Sequence, residues 1–229
     1  MSNSYDGFLR RINQYRIQLN LTQAETSNLI GKTQSQFSKM ELGKTIISYD
    51  VLEKLLKAGW DIDYIIIGKE KIAWESSLTD YLDSNVGEAW KDLKEVLIWI
   101  LGQELCKNGG FEEKDTSCEY ELLKLILNRS KRNSILAEIR SMEGITQMVM
   151  AEKLGVNIKK YRDLEKGNTE PDAELLSLIY EISFCRPSLF FFSESAEKYL
   201  LNNLWNKISG EKKNEIIPFL DHAIELRKS

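Results

Sequence analysis

The side chains with the most distinctive chemistry are amides and hydroxyls grouped in one short stretch, residues 33–39. A glutamine amide donates and accepts hydrogen bonds at once, so it matches the adenine edge in the major groove of DNA at two points. Gln34 lies in the first turn of a predicted helix and is the leading candidate for such a contact. The side chains predicted to face outward beside it are Ser35, Gln36, Ser38 and Lys39. This stretch therefore predicts a surface that reads paired bases.

A second group of side chains is suited to phosphate. Thr22 is a predicted helix N-cap, so the free N–H groups of the next turn and the Gln23 amide face the same way. The sequence Gly43-Lys44-Thr45 adds a turn, an ammonium group and a hydroxyl. Such contacts position a protein on DNA without reading its sequence. The predicted phosphate contacts are Gln23, Thr33, Lys44 and Thr45.

Two short helices joined at Gly31 must hold these side chains. The chain reverses there within a few residues, which needs left-handed backbone, and glycine adopts that backbone without steric cost. Thr33 caps the second helix, in which Phe37 and Met40 point inward. Residues 22–43 therefore predict a helix-turn-helix motif.

Residues 16–25, 31–34 and 41–45 resemble the Cro/CI-type (Xre) helix-turn-helix family of lambdoid phage repressors. The resemblance implies a lambda-repressor-like domain of five helices with double-stranded DNA as its partner. The roles that carry over are Gln23 to phosphate, Gln34 and Ser35 to bases, and Arg16 with Glu41 as a structural ion pair.

The same pattern returns 124 residues later in the chain. Five residues of the motif are identical at that spacing, against roughly one or two expected from ordinary residue usage. They are Thr146, Gln147, Gly155, Glu165 and Gly167 in the second copy. Arg140 falls on Arg16, so Arg140 and Glu165 are the second predicted structural ion pair. The sequence therefore predicts an internal duplication.

The second copy departs from the family pattern on the surface that should read DNA. Ile158 replaces Gln34, and Asp163 replaces Lys39. The candidate residues of a second DNA site are Gln147, Asn157, Lys159, Lys160 and Arg162. The sequence leaves open whether this copy contacts DNA, serves for packing or binds another protein.

The predicted fold class is all-α, with two five-helix helix-turn-helix domains that are each followed by an α-helical hairpin. A fainter repeat at a spacing of 123 suggests the second hairpin and, with it, a pseudo-dimer within one chain whose hairpins pack on each other. The predicted domains are residues 1–70 (first helix-turn-helix), 71–106 (first hairpin), 107–130 (linker plus bridging helix), 131–193 (divergent second helix-turn-helix) and 194–229 (second hairpin).

Composition narrows the class of protein. A hydrophobic fraction of 42%, three prolines and short apolar runs predict a folded cytoplasmic protein without a signal peptide or a membrane span. The net charge of −4 argues against bulk electrostatic coating of nucleic acid but not against a specific reader. A single histidine and three cysteines without metal-ligand spacing predict no metal site, and nothing indicates a cofactor or an enzyme.

Two classes of function remain. The first is a sequence-specific transcriptional regulator, a repressor, that uses tandem helix-turn-helix domains. The alternative is a protein-interaction module of the antitoxin or anti-repressor type, which binds a partner protein through the divergent domain or the hairpins. The acidic pI of about 5.4 and the altered second copy favour the alternative, and further homodimerisation stays open.

Overall fold

The structure is a computed structural model that describes residues 3–69, 78, 81, 90–128 and 133–228. Throughout these residues the regular structure is helical, which confirms the predicted all-α class. Among them, no helix is both long and apolar enough to cross a membrane. The chain divides into two compact units, each built from two separate stretches. The first unit comprises Met1–Lys71 and Asn133–Ser193, and the second comprises Ile72–Arg132 and Glu194–Ser229.

The first stretch of the first unit, residues 3–69, is called the first module. Its helices are α1 (Asn3–Gln18), α2 (Gln23–Leu29), α3 (Gln34–Glu41), α4 (Tyr49–Lys57) and α5 (Ile62–Ile67). Apolar side chains at helical spacing, such as Val51 and Leu55 of α4, are fully buried with Phe8, Ile12 and Phe37. The five predicted helices of this module are confirmed.

The second stretch of the first unit, residues 133–193, is called the second module. Two helices of the second unit, α6 (Trp90–Lys107) and α7 (Lys114–Asn128), come earlier in the chain. The helices of the second module are therefore α8 (Ile135–Met142), α9 (Gln147–Lys153), α10 (Ile158–Glu165) and α11 (Ala173–Ser183). The counterpart of α5 is 3₁₀-helical chain, Pro187–Ser195, which is interrupted by a kink at Phe192, and not an α-helix. Phe184 adopts left-handed backbone with φ 60° and ends α11 before this segment.

The two modules pack directly on each other. Helix α11 lies against α1 and α5, and the backbone N–H of Ala173 donates to the carbonyl of Ile47 over 3.0 Å. The buried Asp63 of α5 accepts from the backbone N–H and the hydroxyl of Ser188 at 2.8 and 2.7 Å. A direct contact between the modules was not among the sequence predictions, which placed the pairing in the hairpins.

The second unit contains α6 (Trp90–Lys107), a 3₁₀ turn (Gly110–Glu112), α7 (Lys114–Asn128), α12 (Ala196–Asn206) and α13 (Gly210–Lys228). Its closest packing joins α7 to α12, where Leu122, Leu123 and Leu200 are fully buried. Of the apolar side chains on α6 and α13, Leu97 and Leu220 are fully buried, whereas Trp99 and Phe219 are 63% and 49% exposed.

Two of the predicted domain segments lie in this unit. The segment predicted as linker plus bridging helix, residues 107–130, contains a short stretch between Lys107 and Lys114 and then α7 (Lys114–Asn128). Most of the predicted first helix of hairpin 1 lies outside the described residues.

Candidate nucleic-acid interface

Helix α3 begins with a reciprocal cap. The Thr33 hydroxyl accepts from the backbone N–H of Gln36 at 3.2 Å, and the Gln36 side-chain oxygen accepts from the backbone N–H of Thr33 at 2.9 Å. Such a capping box satisfies two N–H groups that a helix start leaves without partners. Gln36 was predicted as a base contact, but its amide oxygen serves the cap. The spacing Thr-x-x-Gln in the sequence is itself the signal of this cap, which the base-contact prediction overlooked.

The remaining predicted readers occupy the outer face of α3. Gln34, Ser35 and Lys39 are exposed, and Ser38 is half-buried. On the opposite face Phe37 and Met40 are buried, as predicted from the sequence. Gln34 follows the cap directly, so its amide lies in the first turn of α3 with both its donor and its acceptor on an exposed side chain.

A buried polar cluster lies beneath this face. The Arg16 Nε is 2.7 Å from Glu41 Oε1, and the Arg16 Nη1 donates to the Leu21 carbonyl over 2.6 Å. The Gln23 Nε2 donates to the other carboxylate oxygen of Glu41 over 2.7 Å. The Glu41 side chain is only 3% exposed, so both of its oxygens need these donors. The cluster ties α1, α2 and α3 together.

Gln23 therefore occupies a different place from the one the sequence predicted. It was expected to point to phosphate, but one of its amide hydrogens is held by Glu41. The side chain is half-buried, and an amide nitrogen carries a second hydrogen for another acceptor. Sequence reasoning missed the contact because it joins residues on different helices, 18 positions apart.

The second module repeats this cluster. The Arg140 Nε lies 2.6 Å from Glu165 Oε1, the Arg140 Nη1 donates to the Ile145 carbonyl over 3.1 Å, and the Gln147 amide donates to Glu165. The hydrogen bond that Arg140 donates to Glu165 raises the pKa of Arg140. Gly155 has a φ of 64°, close to the 66° of Gly31. The two modules thus share the same polar contacts and the same left-handed turn.

The outer face of α10 differs from that of α3. Asn157 caps α10 by accepting from the backbone N–H of Lys160 over 2.8 Å, so it stands where Thr33 does. Lys159, Lys160 and Arg162 are exposed, and the Arg162 Nε reaches the Gln147 side-chain oxygen over 3.3 Å. Ile158, the counterpart of Gln34, is half-buried. The outer face of α10 therefore presents cationic side chains and has no amide at the position of Gln34.

The turn after α3 carries the last predicted phosphate contacts. Gly43 is buried with a φ of 69°, whereas Lys44 and Thr45 are exposed. The backbone N–H of Lys44 donates to the Lys39 carbonyl over 2.8 Å, which holds the turn against the end of α3. An ammonium group and a hydroxyl are therefore presented beside the outer face of α3.

Residues 12–58 match the helix-turn-helix family model. The matched span reaches from the middle of α1 through α4, and it includes the capped α3 and the turn after it. Helix-turn-helix domains of the Xre type bind DNA and regulate transcription, and this segment has that fold. The match ends before the second module. Comparison with curated proteins and with solved structures found no match.

Proposed function

We propose that this protein is a sequence-specific DNA-binding transcriptional regulator, a repressor, whose helix α3 reads the major groove. The single observation that carries the proposal is the exposed Gln34 amide at the capped start of α3. Ser35, Ser38 and Lys39 are the further proposed base contacts, together with the free amide hydrogens of Gln36. Lys44, Thr45, Thr33 and the second hydrogen of Gln23 are the proposed phosphate contacts.

Rigid support favours this role for α3. A side chain that reads bases must be held in register, because each good amide–adenine pair discriminates by only about 1–3 kcal/mol. The Arg16–Glu41–Gln23 cluster joins α1 and α2 to the end of α3. The exposed amide therefore sits on a helix with little freedom to shift.

The second module is proposed to bind a neighbouring stretch of DNA with a different base preference. Lys159, Lys160 and Arg162 suit phosphate or guanine, whereas Ile158 can at best touch a thymine methyl group. If both modules dock in successive major grooves, α3 and α10 lie about 34 Å apart on the DNA. Because the two faces differ, the operator would be asymmetric. The chain would then act as a pseudo-dimer that arose by internal duplication and works in the cytoplasm.

A second candidate function is the binding of a partner protein by the second module or the hairpins, as in an antitoxin or anti-repressor. The observations that favour it are the net charge of −4 and the exposed Trp99 and Phe219 of the second unit. A stoichiometric protein partner recovered without DNA would support this candidate over the first.

The test is selection of bound sites from random double-stranded DNA, followed by measurement of chains per site. The proposal expects an asymmetric site with adenine at the position facing Gln34, occupied by one chain. A perfect palindrome bound by two chains would contradict the pseudo-dimer, and enrichment of no sequence at all would contradict specific reading.

A further inference from the structure

The turn that carries Lys44 and Thr45 is held at both ends by different modules. At its start, the Gly43 N–H donates to the Met40 carbonyl over 2.9 Å within the first module. At its end, the carbonyl of the fully buried Ile47 accepts from the Ala173 N–H of the second module over 3.0 Å. Only the three residues 44–46 lie exposed between these anchors. The second module thus fixes one end of a short segment that belongs to the first.

Tyr49, in the first turn of α4, strengthens this end. Its hydroxyl donates to the Phe190 carbonyl of the second module over 3.0 Å. Its ring stacks on the Phe191 ring with centroids 4.4 Å apart and planes 13° from parallel. Burial raises the pKa of Tyr49, so the hydroxyl keeps its proton and remains a donor at physiological pH. One side chain therefore joins the second module to the chain segment directly after the turn.

These contacts give the second module a role that does not require it to touch DNA. Ordering a flexible residue on binding costs backbone conformational entropy, and a turn that is fixed before binding does not lose this entropy on the DNA. We propose that Tyr49 is a positioning residue: through Phe190 and Phe191, the second module fixes the turn that presents Lys44 and Thr45 to phosphate. This inference rests on the proposed DNA binding. It means that the second module increases the affinity for DNA by ordering the turn, without contacting DNA itself.

Tyr49→Phe tests the inference because it removes one hydroxyl and leaves the ring stack. The matched control is Tyr120→Phe in the second unit, which removes a hydroxyl that donates to the Ile98 carbonyl over 3.4 Å. Dissociation constants are measured on the selected site and on an unrelated duplex. We expect Tyr49→Phe to weaken binding about fivefold on both duplexes, since a net hydrogen bond is worth about 1 kcal/mol and phosphate contacts carry no sequence information. The control should leave both constants unchanged.

A second measurement separates positioning from general loss of structure. In a Lys44→Ala, Thr45→Ala background the turn has no contact left to position, so adding Tyr49→Phe should weaken binding little further. Amide hydrogen exchange of residues 44–47 in the free protein should be faster in Tyr49→Phe than in Tyr120→Phe. Phe191→Leu, which removes the stack from the side of the second module, should reproduce both effects.

The outcomes distinguish the inference from the function on which it rests. Wild-type protein that selects and binds no DNA would overturn the proposed function and the inference together. Wild-type protein that binds, with Tyr49→Phe no weaker than Tyr120→Phe, would overturn the inference alone. An equal loss in the Lys44→Ala, Thr45→Ala background would also overturn it, because the effect would then not pass through the turn.

Discussion

The guanidinium of Arg16 donates to the carboxylate of Glu41 across 2.7 Å and joins the end of α1 to the last residue of α3. Gln23 supplies the second carboxylate oxygen with a donor, so a charge that is almost fully removed from water is completely paired. The attraction between Arg16 and Glu41 adds little net stability by itself. Its main effect is to compensate the buried charge of Glu41, which would otherwise be unpaired.

Removing Arg16 should consequently be costly. Arg16→Met keeps much of the side-chain volume but leaves the Glu41 charge with the Gln23 amide alone, and we expect the free energy of unfolding to fall by about 3–5 kcal/mol. The matched control is Lys57→Met, which breaks an exposed pair with Glu53 and should cost at most about 1 kcal/mol. Urea unfolding measures both. If the free energy of unfolding fell equally in the two variants, the buried pair would contribute no more to stability than the exposed one.

Gln34→Ala should weaken binding to the selected site by about 1–3 kcal/mol and leave binding to unrelated DNA unchanged, because only a base contact is lost. Gln103→Ala, an exposed glutamine of α6, is the control and should change neither constant. Fluorescence anisotropy with labelled duplexes provides the measurement. If the Gln34→Ala variant distinguished the selected site from unrelated DNA as well as the wild type does, Gln34 would not be a base-contacting residue.

Unlike Gln34→Ala, Lys44→Ala should lower the affinity for every DNA sequence. Loss of one phosphate contact should also make the slope of log K against log salt concentration shallower by about 1. Lys57→Ala removes a cation from the exposed face of α4 and serves as the control. A loss confined to the selected site, or an unchanged slope in Lys44→Ala, would count against phosphate binding at this turn.

The contact of the two modules at Asp63 should depend on pH. Burial raises the pKa of Asp63, against the opposing effects of its bonds from Ser188 and of Arg186, whose Nη1 lies 3.7 Å away. The native state then binds the proton more tightly than the unfolded chain does. The contribution of protonated Asp63 to stability is therefore complete below the unfolded pKa of about 3.9 and is lost as pH rises through the folded value.

Asp63→Asn removes this titration. The free energy of unfolding of the wild type, minus that of the variant, should accordingly increase as the pH falls from neutral toward about 4. Urea unfolding of both proteins across that range measures the difference. A difference that stays constant, or that shrinks at low pH, would contradict the raised pKa.

Local signals account for what the sequence determined. The caps at Thr22 and Thr33 and the left-handed Gly31 depend on neighbours within a few positions, so their residue types alone predict the helix-turn-helix. Apolar spacing in α4 likewise predicts its buried face, because it needs only the helical period. The exposed position of Gln34 follows from these same elements.

Only the tertiary structure decided the contacts that join distant parts of the chain. Ile47 with Ala173, Tyr49 with Phe190, and Asp63 with Ser188 are each separated by more than 120 residues. No periodicity or cap encodes such pairs. Their energies depend on which surfaces remain uncovered after each module has folded and on how the side chains there fit. The sequence by itself thus determined the helix-turn-helix of the first module and the exposed place of Gln34. Packing alone decided which residues of the second module contact Ile47, Tyr49 and Asp63.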